Sequence, residues 1–212
     1  MFLQADLPEW FTPYLFGVRL HAALKKDGGI QPIAVGVFMR RLIGKCLMIQ
    51  LGDRARHILK PYQQGVGVKG GAENVIHAVK RLAKEHPELL HVQIDFVNAF
   101  GLANREIALQ EVQRLFPEIY KWVFATYGCE SVLIGNHSLE SCDGFQQGDP
   151  LAPLLFSLTL NRLVREIAEK VPGLSMNTWY LDDGVLVGTA EQLTQAVQII
   201  VDMGPQLGLH MS

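Results

Sequence analysis

The segment TWYLDDGVLV at residues 178–187 decides how this chain is interpreted. It places Asp182 and Asp183 between two apolar runs that are rich in aromatic and β-branched residues. Runs of this kind on both sides of an Asp-Gly pair predict a β-hairpin, because the turn requires a positive φ, which Gly184 adopts without a steric clash. Both carboxylates are therefore expected at or beside the hairpin tip. Asp and Gly are also ordinary residues of solvated turns, so this interpretation needs support from elsewhere in the chain.

A third carboxylate, Asp95, follows a predicted strand upstream. The run LHVQID at residues 90–95 alternates apolar and polar residues, so Leu90 and Ile94 are expected to face a core and Asp95 the opposite side. Asn104 is then predicted to cap a helix with one apolar face. Asp95 is therefore expected where a strand ends shortly before a helix, which is a rigid support for a metal ligand.

A glycine-rich loop and a long helix are predicted between the two carboxylate segments. The sequence GFQQGDP at residues 144–150 contains two glycines and two amides ahead of Asp149 and Pro150, which are typical of an N-cap and a first helical position. Leucines at helical spacing then predict a helix over residues 150–170. The leucines indicate core packing, whereas the glycines of the loop suit close approach of the backbone to a ligand.

Three segments in this order resemble the first three palm motifs of reverse transcriptases: DFVNAF at 95–100, GFQQGDPLAPLLF at 144–156 and YLDDG at 180–184. The second motif is most similar to that of non-LTR retroelement enzymes, and the segments at 24–36 and 63–71 resemble the finger region of the same group. Three ordered motifs are far more specific than any one of them.

The resemblance implies an α+β fold of the right-hand polymerase type. Its palm would be an antiparallel sheet, formed by a 90–96 strand and a 177–188 hairpin and backed by helices at 150–170 and 190–206. The family pattern continues into a thumb, which is expected to be absent here, so the chain is expected to be a fragment of a retroelement (retrotransposon) polymerase. The predicted boundaries are fingers at 1–87 and 102–141 and palm at 88–101 and 142–212.

The resemblance also implies template-directed DNA synthesis by two-metal nucleotidyl transfer. Two Mg²⁺ ions, or Mn²⁺, would stabilise the attacking primer oxygen and the departing pyrophosphate, and carboxylate oxygens suit these ions. The implied catalytic and metal-binding residues are Asp95, Asp182 and Asp183, with the backbone carbonyl of Phe96 as a further metal ligand. The implied partners are an RNA or DNA template with its primer, together with dNTPs.

The same resemblance implies contacts to the substrates. Phe100, five positions after Asp95, would crowd the sugar 2′ position and exclude ribonucleotides; the alternative is that it is a core aromatic. Gln147 and Gly148 would lie against the incoming nucleotide. The remaining implied contacts are Lys25 and Lys26 to the nucleotide, and Tyr180, Gly67, Lys69, Arg40 and Arg41 to the nucleic acid.

The sequence departs from the family pattern at Gln31 and in the expected absence of a thumb, so other functions stay open. Gln31 stands where the family pattern has an Arg that grips the triphosphate, and a neutral amide does not replace a guanidinium. A catalytically silent remnant that binds nucleic acid or protein is favoured by Gln31 and by the missing thumb, whereas an RNA-dependent RNA polymerase is disfavoured by Phe100. The GVGVKG segment at 65–70 matches a dinucleotide-binding pattern. Because no buried parallel strand is predicted before it, binding of a nucleotide cofactor is disfavoured.

Charge is distributed unevenly. Residues 1–84 hold 13 Lys and Arg against 5 Asp and Glu, a net +8, whereas residues 85–212 hold 6 against 16, a net −10. A basic half suits phosphate contacts and an acidic half suits divalent metals.

The three cysteines form no Cys-x-x-Cys pair, which favours a reducing, intracellular compartment and argues against a zinc site. Neither a membrane span nor a secretion signal is predicted.

Overall fold

The computed structural model describes residues 8, 10–24, 28–128, 131–134 and 138–212. The chain forms two compact units, one of residues 1–50 and 100–155 and the other of residues 51–99 and 156–212. The division into fingers and palm stays a prediction. Lys25 and Lys26 lie outside the described residues.

Helices and strands are interspersed along the chain. The helices are α1 (Thr12–Phe16), α2 (Phe38–Leu59), α3 (Gly71–Glu85), α4 (Ala99–Leu102), α5 (Arg105–Leu115), α6 (Tyr120–Tyr127), α7 (Ala152–Lys170) and α8 (Ala190–Met203). The strands are β1 (Val18–Leu24), β2 (Ile30–Gly36), β3 (Leu90–Ile94), β4 (Ser131–Ile134), β5 (Ser138–Ser141), β6 (Met176–Tyr180) and β7 (Asp183–Gly188). No helix within the described ranges is both long and apolar enough to cross a membrane.

The first unit contains a sheet with the strand order β2-β1-β4-β5. Strands β1 and β2 pair antiparallel from Val18 opposite Gly36 to Leu24 opposite Ile30, whereas β1 and β4 run parallel. Helices α5 and α6 bury Val112 and Trp122. The ring of Trp122 packs against that of Phe16, with the two ring centroids 5.3 Å apart.

The second unit contains an antiparallel sheet with the order β3-β7-β6, as the sequence predicted. Helix α8 contacts β3 and β7, and α3 contacts β6. Asn177 on β6 donates a hydrogen bond to the carbonyl of Val164 on α7, at 3.2 Å. The antiparallel sheet backed by helices is therefore confirmed. Leu90 was expected to face the core together with Ile94, and this expectation is wrong. Ile94 is buried, but Leu90 is 53% exposed because it is the first residue of β3, an edge strand of the sheet.

Side-chain caps fix where two of these helices begin. Asn104 accepts a hydrogen bond from the backbone N–H of Ile107 at the start of α5, as predicted. Thr189 and Gln192 form a reciprocal capping box at the start of α8, which the spacing of these two residues predicts. Helix α7 begins at Ala152, two residues later than expected, because residues 150–151 form a turn after Asp149.

Replacing Thr189 by alanine should lower the free energy of unfolding by about 1 kcal/mol, because the N–H of Gln192 loses its acceptor. Urea denaturation measures this change. Thr194→Ala is the control: that hydroxyl bonds back to the carbonyl of Ala190 within the helix, so its loss should leave stability almost unchanged. Equal effects of the two substitutions would contradict the importance of the cap.

Candidate active site

The predicted hairpin is present, but its turn lies two residues earlier than expected. Tyr180 pairs with Asp183, so Leu181 and Asp182 form a two-residue loop. Leu181 has a φ of 55°, a conformation that a bulky side chain rarely adopts. A positive φ at the first loop residue is typical of a type II′ turn, where glycine is usual.

Gly184 is required for packing rather than for the turn. It lies in β7 opposite Trp179, and a Cβ atom at this position would come within 2.5 Å of the indole ring. The Trp179 ring is fully buried and stacks on Phe96, with ring centroids 5.8 Å apart and planes 6° from parallel. This stack fixes the residue after Asp95 against the strand that leads into the hairpin loop.

The sheet brings the three predicted carboxylates together. Ile94 pairs with Gly184, so Asp95 follows β3 at the level of Asp183 on the adjacent strand. Asp95 and Asp183 are exposed, and Asp182 is half-buried in the loop between β6 and β7. Burial, with the negative charges of Asp183 and Asp95, raises the pKa of Asp182. The three carboxylates therefore concentrate negative charge where β3 ends and β7 begins.

This charge and these donors fit a divalent cation. Within the described residues, no group of three or more His, Cys, Asp or Glu side chains is arranged to hold a metal ion. Mg²⁺ does not require such a group, since it is commonly bound through one or two carboxylates together with substrate phosphates and water. The carboxylates of Asp95 and Asp182 provide such oxygens, and their mutual repulsion favours a cation beside them.

The backbone carbonyl of Phe96 was predicted to be a further metal ligand. Phe96 forms an antiparallel bridge with Met211. The hydrogen bonds of that bridge come from the neighbouring residues, with Val97 donating to His210 and Ser212 donating to the carbonyl of Asp95. In such a pair the central residue directs its own carbonyl away from the opposite strand. The carbonyl of Phe96 is therefore not used in this ladder, as its predicted role requires.

Gln63, which no sequence motif singled out, lies beside the hairpin loop. Its side chain is buried, with Oε1 accepting hydrogen bonds from the N–H groups of Leu181 and Gly65, each at 2.8 Å. Its Nε2 donates to the carbonyl of Leu181 at 3.1 Å. No local pattern indicates this contact, because the two residues are 118 positions apart.

The glycine-rich loop belongs to the first unit, where a buried arginine holds it. Arg40 is 2% exposed and donates to Asp149 Oδ2 and Gln146 Oε1, both at 2.6 Å, and to the carbonyl of Phe16 at 2.9 Å. Tyr127 donates to the same Asp149 oxygen at 2.9 Å. This burial is at odds with the nucleic acid contact predicted for Arg40, since its guanidinium binds the loop instead.

A second buried arginine holds the start of the same loop. Arg105 donates to the carbonyls of Gly144, Ser141 and Asp143 and to the hydroxyl of Ser141. Burial lowers the pKa of Arg105. For Tyr127, burial first and the charge of Asp149 next raise the pKa of the phenol well above its usual value, so the hydroxyl stays protonated and donates.

The other predicted contact residues fall in both units. Phe100 is half-buried in α4, and its carbonyl accepts a hydrogen bond from Phe145 of the glycine-rich loop at 2.6 Å. Gly148 has a φ of 112°, which only glycine adopts easily. The structure leaves Gln147 half-buried and exposes Tyr180, Gly67, Lys69 and Arg41. The side chain of Gln31 lies outside the described residues.

The hairpin loop and the end of the neighbouring antiparallel strand carry the acidic residues from which the sequence predicted a polymerase site. Residues 23–212 match the family described as reverse transcriptase (RNA-dependent DNA polymerase), and the chain belongs to that family. A comparison with curated protein sequences finds no match.

Solved telomerase structures share the fold. Apo telomerase from Candida tropicalis, truncated from its C-terminal domain, superposes with a TM-score of 0.71 at 10% identity, over 94% of this chain and 49% of that one. Telomerase from Candida albicans, in complex with a TWJ fragment of telomeric RNA, superposes with a TM-score of 0.70 at 11% identity, over 97% and 43%. The chain therefore spans about half the length of these structures.

Proposed function

We propose that this chain is the catalytic portion of an RNA-directed DNA polymerase that uses Asp95, Asp182 and Asp183. The observation that supports this function most is the meeting of the three carboxylates at one edge of the β3-β7-β6 sheet. The family match supplies the reaction class. The direct test is extension of a primer on an RNA template by the full chain with dNTPs and Mg²⁺, with Asp182→Asn as the inactive comparison.

The proposed catalytic residues would act by holding a divalent cation in a fixed place. Asp95 and Asp182 are the proposed ligands of a divalent cation, with the Phe96 carbonyl beside them, and Asp183 adds negative charge from the adjacent strand. When bound, Mg²⁺ would supply stabilisation of the charge that develops on the phosphate oxygens. The buried stack of Phe96 on Trp179 holds the two carboxylate segments together, so these side chains need little reorganisation before substrate binds.

A nucleic acid template is the proposed partner, with a primer and dNTPs as substrates. The family description names an RNA-dependent DNA polymerase, and the Candida albicans telomerase was solved with an RNA fragment. Exposed Lys69 and Arg41 suit phosphate contacts. The non-LTR subgroup and an intracellular location remain predictions from the sequence.

Substitution of Phe100 by valine tests the proposed choice of sugar. If the ring crowds the 2′ position, its removal should lower the preference for dNTPs over rNTPs by at least about tenfold, a difference near 1.4 kcal/mol. The ratio of kcat/KM for dCTP and CTP measures this preference. Phe124→Val removes a partly exposed ring from α6 and should leave the ratio unchanged. Equal use of both sugars by the unmodified chain would favour an RNA polymerase.

A further inference from the structure

The loop that carries Asp182 depends on a backbone conformation that its own sequence disfavours. Leu181 has a φ of 55°, and a leucine side chain clashes with the backbone in this region. Conformations of this kind persist only where the surroundings hold them in place. The structure must therefore supply a restraint from outside the hairpin.

Gln63 supplies this restraint through both backbone groups of one residue. Its amide accepts from the N–H of Leu181 at 2.8 Å and donates to the carbonyl of Leu181 at 3.1 Å. The two N–H donors, from Leu181 and Gly65, require an oxygen at one end of the amide, and the carbonyl requires the N–H₂ group at the other. The glutamine amide meets all three requirements without a charge.

The backbone around Gln63 is itself fixed against β6. Gln64 donates to the carbonyl of Trp179 at 2.7 Å, and Trp179 donates to the carbonyl of Tyr62 at 2.8 Å, so this segment adds a short parallel bridge to the sheet. The Gln63 side chain is only 4% exposed, which excludes most competition from water. The amide thus starts from a rigid support and ends on the residue directly before Asp182.

We propose that Gln63 is a positioning residue, which sets the orientation of the Asp182 carboxylate by holding Leu181 in its left-handed conformation. The peptide that joins Leu181 to Asp182 contains the carbonyl that Gln63 binds. Rotation of this peptide would redirect the Asp182 side chain relative to Asp95. The inference rests on the proposed function for its consequence, though not for its geometry.

The geometry is tested by amide hydrogen exchange of the full chain, measured by NMR. Gln63→Met keeps the length of the side chain but removes its polar groups, so exchange at Leu181 and Gly65 should become at least about tenfold faster. Exchange at Gln64, which donates to Trp179, should stay unchanged and serves as the internal control. Unchanged exchange at Leu181 would overturn the inference.

The consequence is tested by binding of Mn²⁺, followed by electron paramagnetic resonance without nucleic acid. Residues that orient a metal ligand typically change metal affinity by about 10- to 100-fold, so Gln63→Met should weaken Mn²⁺ binding by at least about tenfold. Gln64→Met is the matched control, because that side chain donates to the nearby Pro61 carbonyl and not to the carbonyl of Leu181, so this variant should bind Mn²⁺ within about twofold of the parent. In primer extension, Gln63→Met should lower kcat more than it raises KM for dNTP.

The Asp182→Asn variant distinguishes a failure of the positioning role of Gln63 from a failure of the proposed metal site. If Asp182→Asn loses Mn²⁺ binding while a folded Gln63→Met keeps it, the positioning role is wrong. If Asp182→Asn binds Mn²⁺ as the parent does, the proposed metal site is wrong, and amide exchange alone decides the role of Gln63. Should Gln63→Met fail to fold, Gln63→Asn replaces it in both measurements, since the shorter amide cannot reach both groups of Leu181.

Discussion

Asparagine in place of Asp182 is expected to slow nucleotide addition on the order of 10³-fold, equivalent to about 4 kcal/mol of transition-state stabilisation. The amide has nearly the same shape as the carboxylate but lacks its charge, so it binds a divalent cation poorly. Asp95→Asn should have an effect of similar size, because both side chains are proposed ligands. Single-turnover primer extension measures the rates.

The same substitution should not weaken the fold. Burial and the charges of Asp183 and Asp95 raise the pKa of Asp182, which means that the folded state disfavours its ionised form. At neutral pH, Asp182→Asn should therefore leave the free energy of unfolding unchanged or raise it. Asp202→Asn, which changes an exposed carboxylate on α8, should leave both rate and stability unchanged. A fast Asp182→Asn variant would contradict the assignment.

Methionine in place of Arg40 is expected to destabilise the chain by about 3–5 kcal/mol, because it leaves a buried carboxylate without its cation. Arg40 and Asp149 form an ion pair of 2.6 Å, and their side chains are 2% and 5% exposed. The loss should appear in urea denaturation of the purified chain. The 144–150 loop is expected to lose order first, since Arg40 also binds Gln146.

Arg41→Met is the matched control, since Arg41 is the next residue and is exposed. It should change stability by less than about 0.5 kcal/mol. Combining Arg40→Met with Asp149→Asn should recover part of the loss, because the asparagine keeps an acceptor for the N–H of Leu151 and removes the unpaired charge. Equal destabilisation by Arg40→Met and Arg41→Met would show that the buried pair contributes little.

The elements of the site could be predicted from local sequence because each depends on a short pattern. The hairpin follows from two strand-forming runs around a polar pair, and the caps at Asn104 and Thr189 follow from side chains that each bond to a backbone N–H three residues away. The meeting of Asp95 with Asp182 followed from the resemblance and not from spacing. Strand register, which only the structure provides, supplies the physical reason for it.

The errors arose where a long-range contact decides the role of a residue. Gly184 was interpreted as the turn residue, yet the Trp179 ring requires the glycine and the turn falls on Leu181 instead. Arg40 was predicted from the resemblance to contact the nucleic acid, yet it is buried and binds Asp149, which lies 109 positions away. Gln63 has no distinctive local pattern. Tertiary hydrogen bonds between distant segments leave no periodic signal in one sequence.

Template-directed addition of a single nucleotide tests the central claim most directly. The full chain, in excess over a primer annealed to an RNA template, is mixed at low salt with Mg²⁺ and each dNTP separately, so that weak duplex binding does not mask the chemistry. The proposal predicts addition of only the complementary dNTP, a switch of that preference when the template base is changed, and loss of the product in Asp182→Asn. Absence of any addition by the folded chain, or addition that ignores the template base, would contradict it.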